Sequence, residues 1–157
     1  AAPGYARAGA VAYPVTTPNG IALSPDGATL YYAETEGARL WAFDVTGPGQ
    51  VRRDPWPSPH GGRLVVAAPG GHYQRFDSMA VDVLGNLYIG TLLHGGLTIV
   101  SPQGDVCRHL TLPDRYPTNV CFGGPDMRTM FVTLSGSGRL IAIDDWPIPG
   151  YRLPFSA

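Results

Sequence analysis

The stretch Arg75-Phe76-Asp77-Ser78-Met79-Ala80-Val81-Asp82 sets an oxygen-bearing side chain just ahead of a short apolar strand. Pro18-Asn19-Gly20-Ile21-Ala22-Leu23 repeats the arrangement, and so does Pro117-Thr118-Asn119-Val120-Cys121-Phe122. Aligning Ile21, Met79 and Val120 makes Asn19, Asp77 and Thr118 equivalent, with spacings of 58 and 41 residues. After each of these positions the same succession follows. A tight turn (Pro25-Asp26-Gly27, Leu84-Gly85-Asn86, Pro125-Asp126) leads to a run rich in aromatic and β-branched residues, a polar turn and another such run. Residues of these types favour strands, and the Gly, Pro and Asp between them favour tight turns. A repeat of about 40 to 45 residues carrying four short antiparallel strands is the signature of a β-propeller blade. The longer first spacing is explained by the Pro-rich stretch from Gly47 to Gly62.

The expected fold is therefore all-β, with about three four-stranded antiparallel blades at residues 17–68, 77–112 and 118–146. Residues 9–15, ending near Pro14, read as the outer strand of a preceding blade. No helix-period stripe of useful length competes. A closed propeller needs about 4 to 8 blades, so residues 1–157 read as half of a larger ring.

Composition narrows the partners. The formal charge of −1 gives no electrostatic footprint for nucleic acid or an anionic membrane surface. No apolar run reaches the roughly 20 residues of a membrane span. Ala1-Ala2-Pro3-Gly4 has neither an initiator Met nor a secretory apolar stretch, which reads as a processing or fragment boundary and slightly favours a cytoplasmic setting. Cys107 and Cys121 are expected to be buried free thiols, because two cysteines at this spacing make neither a disulfide framework nor a zinc motif.

In an up-and-down blade, the loop leading into the innermost strand and the loop between the second and third strands share a face. That face is expected to hold Asn19, Asp77 and Thr118, together with Arg75, Arg115, Tyr116, Glu34 and His94. The Trp56 to His60 insertion falls on the opposite face, so His60 is not expected to be catalytic. Turn chemistry alone accounts for Pro25-Asp26-Gly27. An Asx-type turn is the plain alternative for Asp77. Equivalence across repeats is what raises Asn19 and Asp77 above turn residues, as metal ligands, with Asp77 also a possible base. Thr118, His94, Arg75 and Tyr116 are candidates for substrate contact.

On these three stretches the chain resembles the C-terminal half of the gluconolactonase, senescence-marker-protein and luciferin-regenerating-enzyme family of six-bladed propellers. The segment Pro117-Thr118-Asn119-Val120-Cys121-Phe122-Gly123-Gly124-Pro125-Asp126 is the most distinctive, and Pro149-Gly150-Tyr151-Arg152-Leu153 resembles the tail of bacterial members. The resemblance implies a divalent cation, calcium or zinc, held by a Glu, an Asn and an Asp at the channel mouth. Asn19 and Asp77 match the last two, and the Glu belongs to the half not present here. It further implies hydrolysis of a small-molecule lactone once the ring is complete. The rival expectation is a non-catalytic assembly module, its open ring closed by the missing half or by a second copy in a homodimer.

Overall fold

In a computed structural model the described residues are 9–153, so the extremes of the 1–157 unit, residues 1–8 and 154–157, lie outside them. The described residues form twelve strands and no helix. The first sheet contains β1 (Pro18–Leu23), β2 (Thr29–Glu34), β3 (Arg39–Gly47), β4 (Gln50–Val51) and β5 (Arg63–Ala67). The second contains β6 (Arg75–Val81), β7 (Leu87–Leu92), β8 (Gly96–Val100) and β9 (Cys107–Thr111). The third contains β10 (Pro117–Gly123), β11 (Thr129–Leu134) and β12 (Arg139–Ile143). All pairings are antiparallel between neighbours in sequence, except that both β4 and β5 pair with β3.

Three details differ from the sequence reading. Residues 9–15 form no strand. Instead Ala12 and Val15 pack against Tyr32, Trp41 and Phe43, because the aromatic face of the first sheet offers more apolar area there than an edge pairing would. The Pro-rich stretch is not wholly irregular, since Gln50 and Val51 extend the edge of the nine-residue β3 beyond the reach of β5. The third sheet has three strands, not four.

The sheets stack face to face through two apolar layers. Alternation along β2 and β3 sends Tyr31, Ala33, Leu40 and Ala42 toward the second sheet, where they meet Phe76, Met79, Leu87 and Ile89. The same alternation sends Tyr88 and Leu97 the other way, onto Val120, Met130, Val132 and Leu134. With both of its faces covered, β7 is buried almost throughout, which is why Leu87-Tyr88-Ile89 reads as an unbroken apolar run. Over Tyr32, Trp41 and Phe43 the outward face of the first sheet is covered by its own insertion. His60 packs edge-on to Trp41, with ring centroids 4.4 Å apart, and its Nε2 is 2.8 Å from the Tyr32 hydroxyl. The outward face of the third sheet is bare, with Leu140 80% exposed and Phe131 46%. Cys121 lies on the side of β10 away from Val120 and Phe122, and Cys107 on the outermost strand β9. Both thiols are free and exposed, so their expected burial is corrected: neither position faces an interlayer core.

The tail after β12 ties the last two sheets together. Trp146 Nε1 donates to the Tyr88 hydroxyl at 2.9 Å, and Asp82 forms a bridge with Gly150. A Cβ on Gly150 would lie 2.1 Å from that of Phe122, so only glycine fits. No helix of the described residues is long and apolar enough to cross a membrane.

Candidate functional site

The innermost strands β1, β6 and β10 lie side by side, and each carries a register shift near its start. Between Pro18 and Ile21, β1 has one residue more than β2. The same surplus separates Phe76 from Met79, and Pro117 from Asn119. These are β-bulges, which leave a residue unpaired and re-aim its side chain. The residues after Pro18, Phe76 and Pro117 are Asn19, Asp77 and Thr118. The three expected equivalents thus occupy the same place, though inside the bulged start of a strand instead of in the loop ahead of it.

Small residues face the bulges and bring neighbouring sheets close. A Cβ on Gly20 would sit 2.5 Å from the Asp77 carbonyl oxygen, and one on Gly90 2.7 Å from that of Pro117. Such contacts are far below van der Waals distance, so both positions require glycine. Gly20 thereby places Asn19 beside the Asp77 backbone. Asp77 is half-buried, and its Oδ1 accepts from the Ser78 amide at 2.9 Å. Its Oδ2 and the Asn19 amide have no hydrogen-bond partner among the described residues. Two oxygen donors with spare lone pairs suit a hard cation such as calcium, which takes six to eight oxygens. Among the described residues no three His, Cys, Asp or Glu side chains gather to complete such a set.

The remaining candidates separate into two groups. Thr118 stays at the bulge, its hydroxyl 2.8 Å from that of Thr133 and 3.1 Å from that of Ser135. Arg75 stands two residues before Asp77 but is already engaged, donating to Glu36 at 2.8 Å and to the Tyr73 hydroxyl at 3.2 Å. Glu36 is itself held to the start of β1 through its amide bond to Thr17 Oγ1. Both Arg75 and Glu36 are well exposed, so the pair is worth at most about 1 kcal/mol and a ligand can displace it. Tyr116 is exposed and lies against the β11–β12 turn at Gly136. His94 is carried away from the bulges: its ring stacks on His109 of the outermost strand β9 at 3.8 Å. Glu34 is buried, accepting from Arg39 and Trp41, which makes it a strut of the first sheet.

Ser78, Thr133 and Ser135 are residues the sequence reading did not single out. Their signal was the run of small polar residues at or opposite Asp77 and Thr118, legible only once the bulge register is known. A cavity of about 530 Å³ runs along the inner strands past Ile21, Met79, Val120 and Tyr151 to the Pro25–Gly27 turn. Its lining is apolar and lies at the other end of the strands from Asn19 and Asp77.

Residues 3–136 match the family described as the SMP-30/gluconolactonase/LRE-like region. The chain belongs to that family. A 6-deoxy-6-sulfogluconolactonase of Pseudomonas putida is 33% identical over 92% of this chain and 47% of its own length. Among solved structures, a luciferin-regenerating enzyme superposes with a TM-score of 0.73 at 19% identity, covering 88% of this chain and 49% of that one. A calcium-binding regucalcin of Agrobacterium tumefaciens superposes with a TM-score of 0.66 at 21% identity, covering 87% and 50%. At these identities the structural likeness speaks for the β-propeller-like fold alone. The chain spans about half the length of the relatives it matches.

Proposed function

We propose that the chain is three blades of a six-bladed SMP-30/gluconolactonase-like propeller and supplies Asn19 and Asp77 to the metal-dependent site of a sugar-lactone hydrolase. The observation that supports this reading is the repeated bulge, which puts Asn19 and Asp77 at equivalent positions of β1 and β6, where Gly20 packs against the Asp77 backbone. The family match and the relative acting on a gluconolactone support the substrate class.

Asn19 binds through its amide oxygen and does not titrate. A divalent cation, calcium or zinc, would supply Lewis-acid stabilisation of negative charge on the lactone carbonyl oxygen. Asp77 accepts the proton of the attacking water as the water oxygen bonds to the carbonyl carbon. The ring C–O bond then breaks, the leaving alkoxide takes a proton, and the product is the open hydroxy acid. Thr118, Arg75 and Tyr116, around the same rim, contact the hydroxyl groups of the sugar. With only two ligands present, the chain alone is inactive, and the remaining ligands come from the other half of the ring. Lactone hydrolysis followed by pH-stat with added calcium or zinc tests this in the full-length protein. Asp77→Ala and Asn19→Ala should each lower turnover at least a hundred-fold, and normal turnover in both would refute the assignment.

A second reading is favoured by the exposed Ile21 and Leu23 at one end and Phe131 and Leu140 at the other. In it, two copies close a ring as a non-catalytic assembly module. Light scattering across concentrations separates the readings, since a stable folded monomer rules out obligate closure.

A further inference from the structure

At the end of the strands opposite the bulges, a cleft of about 420 Å³ opens between the first and second sheets. Strand register builds one wall. Tyr31 of β2 pairs with Ala42 of β3, and Ala42 pairs with Arg63 of β5. Directly opposed residues share a face of a sheet, so Tyr31 and Arg63 stand in one row with only the Ala42 methyl group between them. Thr29 and Asp44 form the next row on that face. Three turns build the other wall. A Cβ on Gly85, at φ +83°, would lie 3.0 Å from Pro102 Cγ and 3.6 Å from Pro25 Cδ, and one on Gly104 2.3 Å from the Val65 carbonyl oxygen. The β1–β2, β6–β7 and β8–β9 turns are thereby held against one another and against β5, and the cleft is preformed.

The polar groups of the cleft have bonding capacity to spare. Arg63 is exposed and forms no ion pair among the described residues, where Asp44 is already taken by Arg52. Asp26 makes both of its turn hydrogen bonds through Oδ1, which leaves Oδ2 free among the described residues. Tyr31 is 2% exposed, and burial, the main influence, holds its hydroxyl above the ordinary pKa of 10.0, with Arg63 and Thr29 opposing and Asp26 and Asp44 adding. The hydroxyl is therefore a neutral donor and acceptor. Leu84, 66% exposed, and Pro102 give the cleft an apolar edge. We propose that this cleft is a second binding site, separate from Asn19 and Asp77, for a small hydroxy acid: a carboxylate on a short hydroxylated chain. The Arg63 guanidinium donates paired hydrogen bonds to the carboxylate. The Tyr31 hydroxyl donates to a ligand oxygen, Asp26 Oδ2 accepts from a ligand hydroxyl, and the carbon chain lies against Leu84 and Pro102. A bare anion would use Arg63 alone and meet the charges of Asp26 and Asp44, and a neutral sugar would leave Arg63 without its partner. The site does not depend on the lactonase reading.

The experiment is a sodium gluconate titration by calorimetry of the full-length protein carrying Asn19→Ala and Asp77→Ala, which removes the other site as a competitor. One equivalent should bind. In that background Arg63→Gln should weaken binding at least about ten-fold and Tyr31→Phe at least about three-fold. Sodium acetate and glucose should each bind at least about ten-fold more weakly than gluconate. No gluconate binding, or binding indifferent to both substitutions, overturns the proposal. Acetate binding as tightly as gluconate leaves a simple anion site, and glucose binding as tightly leaves a neutral-sugar site; either overturns the hydroxy-acid class. Should a variant fail to fold, spectra of the protein without it decide. Gluconate must shift the Leu84 methyl and Gln103 side-chain amide resonances, and unmoved resonances refute the site. Hydrolysis is not the readout, so failure of the lactonase reading leaves this test standing.

Discussion

The two ends of the inner strands use the same residue types for different work. At the far end, Asp26, Asp82 and Asp126 of the turns that leave the inner strands accept hydrogen bonds from their own turns. Asp26 accepts from Ser24 Oγ and the Ala28 amide, and Asp126 from the Arg128 amide. Asp82, fully buried, accepts from the Leu84 and Asn86 amides, the Asn86 side chain and the Tyr88 hydroxyl. At the bulged end, Asp77 binds only its own neighbour Ser78 and keeps one oxygen free. A carboxylate such as Asp82, which has spent both oxygens on local donors, is structural, and one held at a bulge with an oxygen to spare is available to a ligand.

The largest expected effect separates these two aspartates directly. Asp82→Ala orphans the buried Tyr88 hydroxyl and the turn donors at once. At about 1–3 kcal/mol for each buried donor left unpaired, it should destabilise the fold by more than about 3 kcal/mol in urea unfolding. Asp77→Ala should stay within about 0.5 kcal/mol of the parent, and a comparable loss in both would erase the distinction. Next in size, Gly20→Ala drives a methyl group into the Asp77 carbonyl, at a cost of about 1–3 kcal/mol. It should also weaken calcium binding by moving Asn19 from Asp77, and an unchanged fold would mean that the sheets do not meet so closely.

A smaller effect tests the capped outer face of the first sheet. Burial, the main influence, lowers the His60 pKa from its ordinary value of 6.5, with Arg53 adding to it and Glu34 opposing. The unfolded chain therefore takes up a proton near pH 6.5 that the folded chain refuses until lower pH. The His60 contribution to stability is full above that value and falls as the pH drops below it. Thermal unfolding from pH 7.5 to 5 should show a steeper decline in the parent than in His60→Gln, and parallel curves would contradict the burial. Smallest of all, Asp26→Ala, in an exposed turn, should change stability by no more than about 0.5 kcal/mol and leave metal binding untouched.

Much of this comparison was legible in the sequence. The turn residues at 25–27, 84–86 and 125–126 marked the repeat because tight turns constrain residue type strongly. Asn19, Asp77 and Thr118 emerged as equivalents by aligning Ile21, Met79 and Val120. The bulges were hidden, because a bulge is one surplus residue relative to a partner strand, and no single strand reveals it. The His94–His109 stack was hidden for a similar reason, since it depends on the pairing of β8 with β9. Cys121 and Leu140 escaped the reading because their exposure reflects an outer face with no sheet against it. Residues 9–15 misled because the stretch has strand-like composition, yet Ala12 and Val15 lie on an aromatic surface instead of along an edge.

The central claim is that the bulges make Asn19 and Asp77 a pair of metal ligands. The most direct test is the calcium dissociation constant of the full-length protein measured by calorimetry for the parent, Asp77→Ala and Asp26→Ala. The account predicts at least a ten-fold rise, about 1.4 kcal/mol, for Asp77→Ala and none for Asp26→Ala. An unchanged constant in Asp77→Ala would contradict it.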